Sequence, residues 1–300
     1  MASWVGARTA RAAQRRAPAA AAGTVTIGGD LLVNRMGFGA MRLTGPGIWG
    51  EPKDGAEARR VLRRAVELGV NFIDTADAYG PEVSERLIKE ALHPYPPGLV
   101  IATKGGTVRP EASQWIQDGR PAHLREACEA SLKRLQLERI DLYQLHRIDA
   151  KVPVADSLGE LARLQQEGKI RHIGMSQVSV DELATARRLV PIVSVQNRYN
   201  VADRASADVL EVCEREHLVF IPWAPIARGS TDTLEGGSDH TLEAVAHAHG
   251  VSVLQAALAW LLAKSPIMLP IPGTSSVAHL EEDIAAARIR LTAAELAALG

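Results

Sequence analysis

From residue 24 onward, short apolar runs alternate with segments of helical period, and this alternation constrains the fold more than any other feature. The strands read as residues 36–40, NFIDTA, LVIATK, IDLYQLH, KIRHIGMS, IVSVQN, HLVFIPWAP and IMLPIP. Between and after them lie EARRVLRRAVELG, EVSERLIKEAL, HLREACEASLKRLQ, VADSLGELARLQQEG, VDELATARRL, ADVLEVCEREH, TLEAVAHAHG, VSVLQAALAWLLAK and SVAHLEEDIAAA, each with helical periodicity. Regular strand–helix succession predicts a parallel sheet, because each helix returns the chain to the start of the next strand. Eight such units predict an α/β fold of the closed (β/α)8 TIM-barrel type. An open doubly wound sheet would need fewer strands and a phosphate-binding glycine fingerprint; GFGAMR has two glycines and no third in register. Ahead of the barrel, TVTIGGDLLVN reads as a β-hairpin punctuated by Gly28, Gly29 and Asp30.

No repeat or linker interrupts the pattern, so residues 23–300 are expected to form one domain. Residues 1–22 differ: they carry Arg8, Arg11, Arg15 and Arg16, no acidic residue and many alanines. That composition fits either a targeting-like peptide or a disordered extension, and the segment is left out of the expected fold. The charge balance, 34 Lys+Arg against 35 Asp+Glu, offers no electrostatic reason for a nucleic-acid or membrane partner. Two cysteines, Cys128 and Cys213, fall in helical segments, so a disulfide framework is not expected and a reducing, cytoplasmic compartment fits.

Active sites of such barrels lie at the C-terminal ends of the strands. The polar residues there are Asp74 and, in the next loop, Tyr79; then Lys104, His146, Ser176 with Gln177, Gln196 with Asn197, and Trp223. Singly, each has a structural reading: a helix cap, a rim charge, a hydrogen-bonded scaffold histidine, loop packing. Together they make an acid–base set. A lysine inside a barrel mouth needs a counter-charge, which Asp74 can supply. The Lys104 ammonium beside Tyr79 is then expected to lower the phenol below its usual value of about 10 and make it a general acid near neutral pH. His146 can donate a hydrogen bond to the same substrate oxygen. This set suits carbonyl reduction, whose hydride no side chain can provide, so a nicotinamide cofactor is implied.

The motifs GFGAMRL, NFIDTADAYG, ATKGG, DLYQLHR, GKIRHIGMS, SVQNRYN and PGTSSVAHLEED make the chain resemble the aldo-keto reductases over essentially all of residues 24–300. The resemblance implies a catalytic tetrad of Asp74, Tyr79, Lys104 and His146. It implies that Ser176, Gln177 and Gln196 hold the nicotinamide carboxamide, that Trp223 stacks on its ring, and that Gly39 and Met41 also contact the cofactor. It further implies that Ala224, Pro225, Ile226 and Gly229 wrap the pyrophosphate, and that Gly273, Thr274, Ser275 and His279 clamp the adenosine 2′-phosphate. Glu282 and Asp283 then meet the adenine end. Many relatives have Lys and Arg where this chain has Gly273 and His279, so the implied cofactor is NADP(H), with NAD(H) as a weaker substitute.

GPGIWGEP and LQLERIDLYQLHRIDAKVP most resemble a bacterial branch that includes pyridoxal reductases, which implies a small-molecule carbonyl substrate such as pyridoxal. Trp49 and Trp115 are candidates, with Tyr79 and His146, for the substrate mouth. The short tail after SVAHLEEDIAAA implies an open pocket and broad specificity, in a monomer or weak homo-oligomer. Two rival classes remain open at this point. A non-catalytic NADP-binding barrel, serving as a redox-sensing accessory subunit, can keep the whole tetrad. A metal-dependent hydrolase would need clustered ligands on several strands, and no HxH pair ends a strand.

Overall fold

The computed structural model describes residues 17–226 and 238–300. The hairpin forms from β1 (Thr24–Ile27) and β2 (Leu31–Asn34), paired Thr24 to Asn34 and Ile27 to Leu31. Gly28 and Gly29 both take positive φ, 60° and 85°, the backbone of a tight turn whose twist matches the strands. The turn is pinned to the barrel where Asp30 accepts from Arg171 and contacts His172 Nε2 at 2.7 Å. Ile27, Leu31 and Val33 join Phe72, Val100, Ala102, Leu142, Val219, Ile221, Leu269 and Ile271 in one buried cluster. The hairpin is therefore a plug on the N-terminal end of the barrel, and only the opposite end is free to hold a site.

The barrel strands are β3 (Phe38–Gly39), β4 (Phe72–Asp74), β5 (Val100–Gly105), β8 (Ile140–Leu145), β9 (Ile170–Ser176), β10 (Ile192–Gln196) and β11 (Val219–Phe220). They form one parallel sheet in chain order, with β3 and β11 at its edges. The expected eighth strand, IMLPIP, does not pair as a regular ladder. Pro270 and Pro272 have no N–H to give. The segment closes the barrel nonetheless through the bonds it can make. Leu269 N–H donates to Phe220 O (2.9 Å) and Phe220 N–H to Ile267 O (3.1 Å), while Gly37 and Gly39 N–H donate to Pro270 O and Pro272 O (3.0 and 3.1 Å). Each proline carbonyl thus serves the edge strand that its nitrogen cannot.

Helices α1 (Gly55–Glu67), α2 (Val83–Leu92), α3 (Pro121–Leu135), α4 (Val154–Gln166), α5 (Val180–Leu189), α6 (Ala207–Arg215), α7 (Ser238–His249), α8 (Val253–Lys264) and α9 (Val277–Ala285) cover the sheet. A second, larger core fills the space between strands and helices. Two elements lie outside the expectations. A short hairpin, β6 (Thr107–Val108) with β7 (Ile116–Gln117), rises from the loop after β5. A last helix, α10 (Ala293–Leu299), starts at a capping box in which Thr292 and Glu295 satisfy each other's N–H. No single described helix is long and apolar enough to cross a membrane.

The boundary after residue 22 is corrected. Pro18–Ala22 form a 3-10 turn, Ala19 is fully buried, and its N–H donates to Leu68 O at 3.0 Å. Arg290 also donates to Ala21 O. These alanines are small enough to pack against the α1 end, so the domain begins earlier than composition implied. Residues 1–16 lie outside the described residues.

Arg35 draws the closing segment onto the hairpin side. Its guanidinium donates to Met268 O (3.1 Å), Leu262 O (2.7 Å) and Ser265 O. An Arg35→Met variant should lose about 2–4 kcal/mol of unfolding free energy in urea, because carbonyls at the seam lose a charged donor. A loss under about 0.5 kcal/mol would show that the seam closes without Arg35.

Candidate active site

Lys104, near the end of β5, is fully buried and lies beside Asp74, at the end of the neighbouring strand β4. Its ammonium donates to Asp74 Oδ1 (2.6 Å), to Thr75 O (2.8 Å) and to the Tyr79 hydroxyl (3.3 Å). The other Asp74 oxygen accepts from Gln196 Nε2 (2.7 Å) and Gln144 Nε2 (3.0 Å). Burial alone would pull the Lys104 ammonium down; Asp74 and Tyr79 more than offset this and hold it above the ordinary lysine value. The ends of four strands, β4, β5, β8 and β10, are tied together by one carboxylate.

The strand register explains the convergence. Lys104 pairs with Gln144 across β5 and β8. Gln144 is two residues before His146, so side-chain alternation puts both on the inner face. His146 is buried, and its N–H donates to Gly105 O at 2.9 Å. Burial, then the positive charges of Lys104 and Arg147, push its imidazole well below the ordinary histidine value. The ring is neutral and carries one N–H to donate.

Tyr79 lies edge-on to His146, ring centroids 5.9 Å apart, and edge-on to Trp115 at 6.5 Å. Here one expectation is overturned. Tyr79 is raised above, not lowered below, the ordinary phenol value: burial dominates, and Asp74 adds to it against the pull of Lys104. Burial outweighs the lysine charge, which Asp74 offsets in part. Tyr79 therefore stays protonated with margin at neutral pH.

The cavity at this end of the barrel, about 710 Å³, is lined by Tyr79, His146, Asp74, Trp115 and, among others, Gly39, Met41, Ser176, Gln196, Trp223, Ala224, Pro225, Ile226 and Gly273. Backbone forms part of its floor: a Cβ on Gly39 would stand 2.7 Å from Ile271 O, and one on Gly273 only 2.4 Å from Gly39 O. Trp223 presents its ring with the indole N–H tied to Gln177 Oε1 at 2.6 Å. Gln196 spends its Nε2 on Asp74, which leaves its carbonyl oxygen to accept from a ligand amide. A bare floor, an anchored indole and free polar groups at Ser176 and Gln196 fit a nicotinamide cofactor.

Several residues stand elsewhere than expected. Gln177 is not on the cavity wall. Its side-chain oxygen accepts from Trp223 and from Arg198 N–H (2.8 Å), so it braces the indole from behind. Trp49 does not line the cavity either; Ile48 takes that place. Arg109 lies between the two tryptophans, 5.3 Å from the Trp49 ring and 3.9 Å from Trp115, and bonds to carbonyls of Gly47, Ile48 and Ala112. Trp49 is thus a loop anchor, and only Trp115 faces the site. Ser275 and His279 are exposed beyond the cavity wall, and Thr274 Oγ1 accepts from Ser276 N–H at 3.2 Å. Glu282 accepts from the Ser252 hydroxyl at 2.6 Å, tying α9 to α8, and Asp283 is buried. Gly229 lies outside the described residues. The sequence reading missed Gln144, whose signal was a polar side chain inside an apolar barrel strand.

If Asp74 exists chiefly to neutralise Lys104, removing one partner should cost far more than removing both. Asp74→Leu should lose about 3–5 kcal/mol of stability. In a double-mutant cycle with Lys104→Met the pair should lose clearly less than the sum. Strict additivity in urea titrations would contradict the pairing.

Comparison with known proteins agrees with this geometry. Residues 35–300 match the model of the aldo/keto reductase family. An uncharacterized oxidoreductase of Schizosaccharomyces pombe is 51% identical over 96% of this chain and 92% of its own length. Pyridoxine 4-dehydrogenase of Escherichia coli is 42% identical over 92% of this chain and 96% of its own. A Klebsiella pneumoniae aldo-keto reductase solved in complex with NADPH superposes with a TM-score of 0.77 at 27% identity, covering 92% of this chain and 93% of that one. A plugged (β/α)8 barrel, a lysine–carboxylate–tyrosine network in its mouth and these relatives lead to one conclusion: the chain belongs to the aldo/keto reductase family and is an NADP(H)-dependent oxidoreductase.

Proposed function

We propose that the protein reduces a small aldehyde, pyridoxal among its substrates, to the alcohol, with Tyr79 as proton donor. The observation that carries this reading is the Tyr79 hydroxyl, protonated, lining the cavity and bonded on one side only to Lys104 at 3.3 Å. NADPH supplies the hydride to the carbonyl carbon. As that C–H bond forms, the carbonyl electron pair moves to oxygen, and the Tyr79 O–H transfers its proton there. Lys104 steadies the phenolate left behind, and Asp74 keeps the lysine itself compensated. His146, neutral, donates to the same oxygen and orients the carbonyl.

The cofactor is held, in this reading, by Ser176 and the Gln196 oxygen at the carboxamide and by the Trp223 face against the ring. Gly39, Met41, Ala224, Pro225 and Ile226 follow its backbone. Gly273, Thr274, Ser275 and His279 lie at the 2′-phosphate end, with Glu282 and Asp283 behind. No lysine or arginine stands at positions 273 and 279, which supports NAD(H) as a weaker substitute. The similarity to a pyridoxine 4-dehydrogenase supports pyridoxal. The buried free thiols of Cys128 and Cys213 suit a cytoplasmic setting.

A Tyr79→Phe variant should lose about 10²–10⁴ in kcat for NADPH-dependent reduction of pyridoxal while titrating with NADPH as the parent does. Retained turnover would remove Tyr79 from the donor role. The pH dependence carries a sign as well. The acid form of Tyr79 is required and its pKa is raised, so kcat/KM should stay level from roughly pH 6 to 9 and fall only in the alkaline range. His146 is neutral throughout, so no break should appear near the usual histidine value of about 6.5. A limb near neutrality in either direction would contradict the assignment.

A further inference from the structure

Arg147 follows His146 and lines the same cavity, half-buried. It makes no hydrogen bond or ion pair with any described residue, although burial already works against its charge. A half-buried guanidinium ordinarily finds a carboxylate or carbonyl partner, because its five donors lose water on burial. The other cavity arginines are differently placed. Arg198 is paired with Asp203 at 2.7 Å and lies over the Trp223 ring, and Arg42 is exposed against Gly273, both on the side assigned to the dinucleotide.

A second polar group lines the same cavity as Arg147. Strands β5 and β8 end their pairing at Gly105 and Leu145. Thr107, which opens β6, and Arg147 are each two residues further along the chain. Thr107 also lines the cavity, is 3% exposed, and its hydroxyl has no hydrogen-bond partner among the described residues. On this side the cavity wall continues through Trp115, Gln117 and Ile48. Among the described residues, the site thus offers a cation and a hydroxyl with no acid to pair them, beside an aromatic wall and next to the proton donor.

We propose that Arg147 and Thr107 form an anion subsite that selects carbonyl substrates bearing a carboxylate or a phosphate group. The subsite rests on the reading of Tyr79 as the reducing centre. A planar guanidinium can take two oxygens of such a group at once, and the Thr107 hydroxyl a third contact. The anion would then fix the substrate at one end while its carbonyl reaches Tyr79 and His146 at the other. Arg147 is a specificity-determining residue in this arrangement, not a member of the proton-transfer set.

The test compares matched substrates with the NADPH-loaded enzyme. Carboxylate is read from 4-carboxybenzaldehyde against methyl 4-formylbenzoate, and phosphate from pyridoxal 5′-phosphate against pyridoxal. At least one anionic member should exceed its neutral partner in kcat/KM by about tenfold or more, chiefly through KM, as expected for a charge-assisted pair. The member that does so identifies the anion. In Arg147→Met that ratio should fall at least about tenfold, and Arg147→Lys should recover part of it. Thr107→Val should lower it less. No anionic preference in either pair, or a ratio unchanged by Arg147→Met, overturns the subsite. Turnover of the neutral aldehydes alone would leave the reductase reading standing without it. Should no aldehyde be reduced, the reductase reading fails, and calorimetric titration of the NADP-loaded protein with benzoate and with inorganic phosphate decides the subsite. A Kd weakened tenfold or more by Arg147→Met supports it, and equal affinities or no binding overturn it.

Discussion

The buried pair between Lys104 and Asp74 is the interaction on which the rest of this site depends. A lysine with no solvent exposure is tolerable only if its charge is met, and Asp74 meets it at 2.6 Å. The same carboxylate accepts from Gln144 and Gln196, so it spans the ends of β4, β5, β8 and β10. Those bonds align the inner faces of these strands, one of which, β8, leads directly into His146. The pair also sets the chemistry of Tyr79. With its charge compensated, Lys104 cannot overcome burial, and the phenol remains a firmly protonated donor rather than a partly ionised one. In the proposed reaction, Lys104 acts chiefly once negative charge develops on the phenol oxygen.

The fold supplies the two ends that this arrangement requires. At one end the hairpin closes the barrel with apolar side chains and a turn pinned by Arg171 and His172. At the other, loops leave a cavity whose floor is brought close by glycine at 39 and 273. The seam between these ends is irregular because Pro270 and Pro272 cannot donate. That irregular stretch contributes Ile271 and Pro272 to the cavity wall, and it leads directly into Gly273.

Much of this was legible in the sequence. Asp74, Lys104 and His146 each end an apolar run, and the barrel rule places such ends in one mouth. Tyr79 was legible from its motif. Gln144 was within reach of the period-two rule, since it shares a face with His146, but inside an otherwise apolar strand it passed as scaffold. The loop residues were harder. Trp49 and Trp115 are equivalent by composition; only the position of Arg109 between them decides which one faces the cavity. Gln177 stands at a left-handed backbone position, φ 53°, which turns it behind Trp223, and no spacing rule reports that. The direction of the Tyr79 shift required knowing that the phenol lies deep enough for burial to outweigh the lysine charge. Residues 17–22 resembled the alanine-rich stretch before them and were set aside with it, although small side chains are what their packing site admits.

The central claim is that Tyr79 is a protonated donor held by a compensated lysine. Its most direct test is the ionisation of the phenol itself. The chain has four tyrosines, and burial raises all four: Tyr79, Tyr95, Tyr143 and Tyr199. Carbon-13 labelling at tyrosine Cζ, with Tyr79→Phe to assign the resonance, follows Tyr79 alone through an alkaline titration of the folded protein. The account predicts a Tyr79 resonance that stays in the phenol form past the ordinary tyrosine value of about 10. A resonance that shifts to phenolate below that value would mean that Lys104 governs the phenol directly, and would contradict the account.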